Sequence, residues 1–433
     1  MLLSSDILII QILAVTFLRK LLSFEEDPPI QKTVDKNLIP RLFQLAQSQE
    51  SPKLQFEAIW CLTNIASSES QFVLKLIEYQ AIKILISIMN SNTHIEVKEQ
   101  TIWCLGNISG DNTRFREALL DQDILPSICN LIDSAMANTS FVRNSIWTLS
   151  NLCKGRPSPA FEKVKRAIPT FARVLNETDN TEILNDICWT LSYITDEGGD
   201  ERILVFLECN MVPRLCQLLR HSDMIIAVPA LRTLGNILTA RDEYAQVAIN
   251  CNVLEAFTQL LDHPKKAIRK EICWSISNVT AGNPQQINRC IEIGLIDKII
   301  HLMETQPLDI KMEAVWCLSN ATSQAEPRQI EDMVNRGILR AIGQVLDCRD
   351  PRTLVVALEG INFILKTGQE HLIVNGVNPM IAKAEECGLV DQMEQLQMVE
   401  NQKVYEKSIK ILETYFELEQ QQDIMEMLAA PTN

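Results

Sequence analysis

The sequence predicts an all-α protein built as a solenoid, one helical unit stacked repeatedly on the next. Three observations carry that expectation. A nine-residue segment, WCLTNIASS at 60–68, returns as WCLGNISGD (103–111), WTLSNLCKG (147–155), WTLSYITDE (189–197), RTLGNILTA (232–240), WSISNVTAG (274–282) and WCLSNATSQ (316–324). The copies stand 42–44 residues apart, a spacing characteristic of helical repeat arrays. Finally, 433 residues hold only 14 Gly and 17 Pro against 46% apolar residues, which favours helices and supplies a continuous core. A chain of this length would ordinarily divide into two or three domains, but an array grows by adding neighbours.

A period in the low forties is the signature of armadillo- or HEAT-type repeats. The expected form is a right-handed superhelical solenoid of about ten armadillo repeats of three helices each, with atypical ends, over residues 1–416. An acidic tail, 417–433, is expected to fray. Residues 1–23 are strongly apolar, but no basic region precedes the run and no small-residue cleavage site follows it. Gln11 and Thr16 interrupt it within a span too short for a bilayer, so a buried helix capping the array is expected.

From Asp27-Pro28-Pro29 the pattern is regular, and residues 69–110 show one unit: a short amphipathic helix (SQFVLKLIEY), a longer apolar one (AIKILISIMNSN) and the motif helix (HIEVKEQTIWCLGNISG). Ser51-Pro52, Asp262-His263-Pro264, Gln306-Pro307 and Asp350-Pro351 punctuate the helices, Pro suiting a first helical turn. After 324 the copies drift, with Glu359 and Phe363 where a Trp and an Asn would fall. Residues 366–388 hold three of the 14 glycines and predict a longer connection, and 390–416 a terminal helical pair.

The net charge of −15 argues against nucleic acid and anionic membrane and for cationic partners, although acidity that only maintains solubility would look the same. The 13 Cys form no CxxC pair. Cys61, Cys104, Cys188, Cys273 and Cys317 recur beside the motif lead, as small core fillers in a reducing compartment would. Sequons such as Asn107-Ile-Ser109 fall inside repeat helices and read as chance in a cytosolic or nuclear protein.

Within each copy the lead residue and the Asn lie four apart, sharing one helix face. Stacking should line up a row of Trp beside a row of Asn on the concave side. The plainer reading makes these Trp core. Against it, Asn is weak in helix interiors by roughly half a kcal/mol relative to Ala, and a buried amide needs partners. Keeping the pair at five copies points to a ligand. An Asn amide can donate to and accept from the main chain of an extended peptide. Neighbouring indoles form slots for Lys or Arg stems, each contact contributing roughly 0.5–2 kcal/mol. Glu57, Glu99, Asp186, Glu271 and Glu313 precede motif leads and can meet the charged heads, and Asp111 is the leading candidate for an ammonium ligand. Trp60, Trp103 and Trp147 form one run, Trp274 and Trp316 another. Between them lie Trp189 with Tyr193 and Arg232 with Asn236; a cation at 232 should repel basic side chains, leaving two basic clusters joined by a less specific spacer.

From about residue 16 (TFLRKLLS…PPI) to about 416 (YEKSIKILETYF), the chain resembles importin-α (karyopherin-α), the adaptor that reads nuclear localisation signals. The resemblance implies a major signal site at Trp60, Asn64, Gln100, Trp103, Asn107, Asp111, Asn144, Trp147 and Asn151, and a minor one at Trp274, Asn278, Glu313, Trp316 and Asn320. It implies antiparallel binding of basic mono- and bipartite signals, shuttling between cytoplasm and nucleus, an export receptor at the C-terminal repeats, and no cofactor, nucleic acid or membrane. Two departures are visible. Ser68 and Val73 stand where the family has a Gly and then a Thr that contacts the key lysine, and Ala240 and Ala245 where it has a Gly and a Thr. The loss of those hydroxyls should weaken lysine discrimination without abolishing it. The family's Arg/Lys-rich segment for importin-β has no counterpart upstream of Arg19, so this form is expected to be uninhibited and unable to recruit importin-β by that segment. The competing class is an armadillo scaffold for other partners in a non-import complex, which would favour a basic groove. Five scattered His, with no HExxH, P-loop, GxGxxG or GxSxG, point away from an enzyme.

Overall fold

The computed structural model describes residues 2–92, 94–196 and 198–416; the tail expected to fray at 417–433 lies outside the described residues. Among those residues everything regular is helical, apart from one isolated bridge between Val374 and Val377. The chain forms two compact units, residues 1–214 and 215–433.

In the first unit five long helices form a ladder, each packed on the next: Leu8–Leu22, Pro52–Ala66, Ile95–Asp111, Thr139–Cys153 and Thr181–Asp196. The second unit has its own ladder of Met224–Leu238, Lys266–Thr280, Leu308–Gln324, Pro351–His371 and Gln402–Tyr415. Shorter helices precede the rungs, as Ser70–Glu78 and Ala81–Ser91 precede Ile95–Asp111. Side-chain caps start several rungs: Asn138 Oδ1 accepts from the Phe141 amide at 3.1 Å and Asp350 Oδ2 from that of Thr353 at 2.8 Å. The shorter helices are joined through single residues with left-handed backbone, Asn37, Gln80, Asp123, Asn210, Asn252, Gly294, Gly337 and Gly388, residue types that mostly tolerate positive φ. The pair in 161–177 departs from this, running through a 3-10 turn at Lys165–Ala167.

The motif cysteines Cys61, Cys104, Cys188, Cys273 and Cys317 are fully buried. Burial pushes the Cys104 thiol up to about 12, which keeps it protonated and inert.

Three local expectations are corrected. Leu8–Leu22 buries Val15 and Leu22 against Pro52–Ala66, but its opposite face, with Ile9, Leu13 and Phe17, is open. The connection expected over 366–388 shrinks to 372–378, because the preceding helix continues through Gly368 to His371. Gly368 survives there because Asn378 and Met380 pack where a Cβ would stand. Of the Pro marks, Pro52 and Pro351 open helices, whereas Pro307 caps one and Pro264 lies just before Lys266–Thr280. No helix of the described residues is long and apolar enough to cross a membrane.

Candidate peptide-binding site

The Asn of each motif turns out to have a partner inside the protein. Asn107 Nδ2 donates to the Thr63 carbonyl at 3.2 Å, Asn151 to Gly106 at 3.1 Å and Asn320 to Ser277 at 2.9 Å; Asn278 reaches Gly235 at 3.5 Å. Each accepting carbonyl lies one residue before the Asn of the preceding rung. Asn64 begins the series by donating to Ser23 Oγ at 2.8 Å. The amide row therefore bolts rung to rung, and the expectation that Asn requires a ligand to justify its place is corrected. Asn151 and Asn236 are buried, whereas Asn64, Asn107, Asn278 and Asn320 are half-buried. An Asn with one N–H engaged still has a second N–H and its carbonyl oxygen to offer.

The same register explains the small residue before the Asn. A Cβ added at Gly106 would lie 2.5 Å from the Trp147 ring, and one at Gly235 2.4 Å from that of Trp274. Each indole thus lies over the preceding rung at these two positions. It is not swallowed there: Trp103 is 38% and Trp316 40% exposed, and Trp60, Trp147, Trp189 and Trp274 are half-buried.

In the first unit Trp60, Trp103 and Trp147 line a groove of about 750 Å³ with Phe56, Glu99, Gln100, Asn144 and Asp186, and with Arg143, which is ion-paired to Glu182 at 3.0 Å. Gln100 is buried, its Nε2 spent on Thr63 Oγ1 at 2.8 Å, so it shapes the floor rather than presenting an amide. Asn144 Nδ2 donates to Glu99 Oε1 at 2.6 Å, which Ser140 Oγ also approaches at 2.6 Å. Asp186 has its carboxyl raised above the ordinary range by burial, with Lys154 lowering it and Glu182 raising it further. Beside this groove, a smaller hollow of about 310 Å³ is lined by Ser67, Ser68, Asn107, Asp111, Trp147 and Lys154 among others. There Asp111 accepts from Ser70 Oγ and Asn112 Nδ2, both at 2.6 Å. Among the described residues, no Lys or Arg comes within ion-pair distance of Glu99, Asp111 or Asp186.

Glu57 behaves differently. It is fully buried and ion-paired with Arg19 at 2.8 Å and Lys53 at 2.5 Å, while the Arg19 guanidinium stacks 4.2 Å above the Trp60 ring. Burial would push this carboxyl up, but hydrogen bonds and charge from Arg19 and Lys53 outweigh it and hold Glu57 below its ordinary range. It is not available to a ligand. Trp189 stacks on Tyr193 with centroids 5.9 Å apart.

In the second unit Arg232 repeats the Arg19 arrangement. Its Nε lies 2.6 Å from Glu271 and its guanidinium 5.7 Å from the Trp274 ring centre. Arg232 therefore occupies the place beside Trp274 with its charge already countered by Glu271, rather than standing there as a bare cation. Glu313 faces Lys270 at 3.6 Å.

Family models for the armadillo/β-catenin-like repeat match residues 14–67, 112–154, 199–239 and 241–281. A HEAT-like repeat model matches 52–108 and an atypical Arm repeat model 378–431. Importin subunit alpha-B of Dictyostelium discoideum is 51% identical over 410 residues, covering 95% of this chain and 79% of its own. Importin subunit alpha-1b of Oryza sativa subsp. japonica is 39% identical over 424 residues, covering 97% and 78%. The chain belongs to the importin-α family. Among solved structures, an engineered protein superposes with a TM-score of 0.79 over 95% of this importin-α and 96% of its own chain at 21% identity, which supports the fold. A designed armadillo repeat protein in complex with the peptide (KR)4 is 28% identical, with a TM-score of 0.51 over 57% of this chain and 98% of its own. Membership makes this importin-α one of a family of nuclear-import adaptors rather than enzymes.

The departures from the family pattern now have places. Val73 is fully buried and Ala245 buried, so neither position presents a side chain to the groove. Ser68 Oγ donates to the Ile65 carbonyl at 2.6 Å. The hydroxyl that does reach Asp111 comes from Ser70, which the sequence reading missed. A Ser a repeat length before Asp111, opening the next helix, was the available signal. Arg19 was missed as well, though it stands one repeat before Trp60 as Arg232 stands one before Trp274.

Proposed function

We propose that this importin-α reads Lys/Arg-rich nuclear localisation signals as extended peptides, with the first-unit groove as the major site and Trp274, Trp316, Asn278, Asn320 and Glu313 as the minor one. A single observation carries the reading: accessible indoles of Trp103 and Trp147 stand beside Glu99, Asp111 and Asp186, which among the described residues hold no internal cation. Lysine or arginine stems can lie between the rings with their charged heads at those carboxylates. The half-buried Asn107, Asn278 and Asn320 each retain one N–H and a side-chain carbonyl for the peptide backbone. The (KR)4 peptide of the designed relative is a ligand of the same chemistry.

Each half of a bipartite signal has one such site. Partners are signal-bearing proteins, carried between cytoplasm and nucleus, with importin-β and an export receptor as the family's further partners. Fluorescence anisotropy with a labelled peptide of Lys-Lys/Arg-x-Lys/Arg core tests the reading. Binding is expected at about micromolar or tighter, weakening as salt screens the carboxylates. No binding at low salt refutes it.

A further inference from the structure

Among the described residues, the first-unit groove is lined by the carboxylates Glu96, Glu99, Glu182 and Asp186 and by a single cation, Arg143. Arg143 Nη1 donates to Glu182 Oε2 at 3.0 Å, the two side chains being 44% and 64% exposed. The other carboxylates are placed differently. Glu99 accepts from the neutral Asn144 and Ser140, and neither Glu96 nor Asp186 has an ion pair among the described residues. The register gives the Arg143 pair its meaning. Arg143 and Trp147 lie one turn apart on Thr139–Cys153, as Glu182 and Asp186 do on Thr181–Asp196, and these two rungs pack together. A closed ion pair therefore stands one helical turn, about 5.4 Å of axis, from the open carboxylate of Asp186.

We propose that Arg143 is a specificity-determining residue of this groove: it turns away a second cation beside the one held at Asp186, so a basic cluster interrupted by a neutral side chain fits better than an unbroken run. The inference rests on the peptide reading above. In an extended ligand, side chains two residues apart point the same way and lie about 7 Å from each other. A lysine at Asp186 thus brings a basic neighbour within reach of Arg143 rather than of a free carboxylate. That neighbour must face the guanidinium charge or break its pair with Glu182, and both count against it. A neutral side chain meets neither cost. Because the ion pair is exposed, the discrimination amounts to several-fold and fades as salt is added.

Fluorescence anisotropy with labelled hexalysine, and with the peptides in which alanine replaces each lysine in turn, tests it. The proteins compared are the full chain and its Arg143→Met variant, which keeps the aliphatic stem at an exposed position. On the unaltered chain one interior alanine should be tolerated, binding within about twofold of hexalysine. On Arg143→Met, hexalysine should bind about fivefold more tightly, and that same alanine should now cost about fivefold. An unchanged profile overturns the proposal while the peptide reading stands. So does an equal gain for every peptide, which a mere change of net charge would give. Failure of hexalysine to bind either protein at low salt removes the peptide reading and this proposal with it.

Discussion

In the 1–214 unit, Glu99 and Asp186 share a groove with Trp60, Trp103 and Trp147, and Asp111 a hollow with Trp147, with no cation of the protein's own within ion-pair distance of these carboxylates among the described residues. In the 215–433 unit the same kinds of side chain face each other differently: Glu271 holds Arg232 at 2.6 Å and Glu313 faces Lys270 at 3.6 Å. Both units keep indoles and inter-rung carboxamides, so beyond the exchange of Trp for Arg232 the difference lies in which carboxylates are already neutralised. A ligand ammonium entering the first groove meets negative charge that is free to respond. One entering the second must displace an internal cation, and the exchange gains little. Arg19 with Glu57 at the first rung, and Arg143 with Glu182 at 3.0 Å on the wall of the same groove, show that the first unit also uses this device.

The largest way to break this comparison is to remove the rings. Trp103→Ala with Trp147→Ala should weaken a single-cluster basic peptide about a hundredfold, since aromatic anchors dominate such contacts. Trp274→Ala with Trp316→Ala should cost it less than about tenfold. The opposite order in calorimetric titrations would exchange the two sites. Next, Asp111→Lys should weaken a Lys-rich peptide about thirtyfold, the cost of turning an attractive charge into a repulsive one. Its melting temperature should stay within about two degrees, because this half-exposed carboxylate accepts only from Ser70 and Asn112 and is in no ion pair among the described residues.

Arg232→Ala sharpens the contrast from the other side. By freeing Glu271 and one face of Trp274, it should raise the affinity of the second unit about threefold. The effect is read in the Trp103→Ala, Trp147→Ala background, and unchanged affinity would show that Arg232 is not the obstacle.

The smallest effect concerns pH. Burial raises the Asp186 carboxyl, and a cationic ligand needs it ionised. Peptide affinity should therefore be flat above that raised pKa and fall as pH drops through it, above the ordinary aspartate range, with protons released on binding there. Asp186→Asn should remove this step, seen as equal peptide affinity in neutral and mildly acidic buffers. The sign for folding is opposite to that of an ion-paired carboxylate such as Glu57. A raised pKa means the folded form binds the proton more readily, so the Asp186 contribution weakens as pH rises from the unfolded to the folded value. Glu57, held low, contributes stability above its unfolded pKa that is lost as pH falls through its folded one.

The repeat and the aromatic row were legible because indoles recur at one register, and a side chain announces itself in sequence. The job of the Asn was not, because its partner is a backbone carbonyl one rung away, and any residue type supplies one. Residues flanking the motif were misjudged for the same reason. Gln100 and Glu57 look like free polar groups in sequence, yet Thr63 in one case and Arg19 with Lys53 in the other had already claimed them. The N-terminal helix was legible as apolar, but composition does not tell how many of its faces have neighbours.

The left-handed single-residue joints between the short helices carry one more consequence. A corner fixed by one positive-φ residue has almost no room for an inserted or deleted amino acid, whereas the segments on either side of each rung range from one residue at Asn112 to seven at 372–378. Length variation is thereby channelled to the loops flanking the rungs. The array can gain or shed surface loops there while Trp147 and Trp274 keep their bearing on the rung before them.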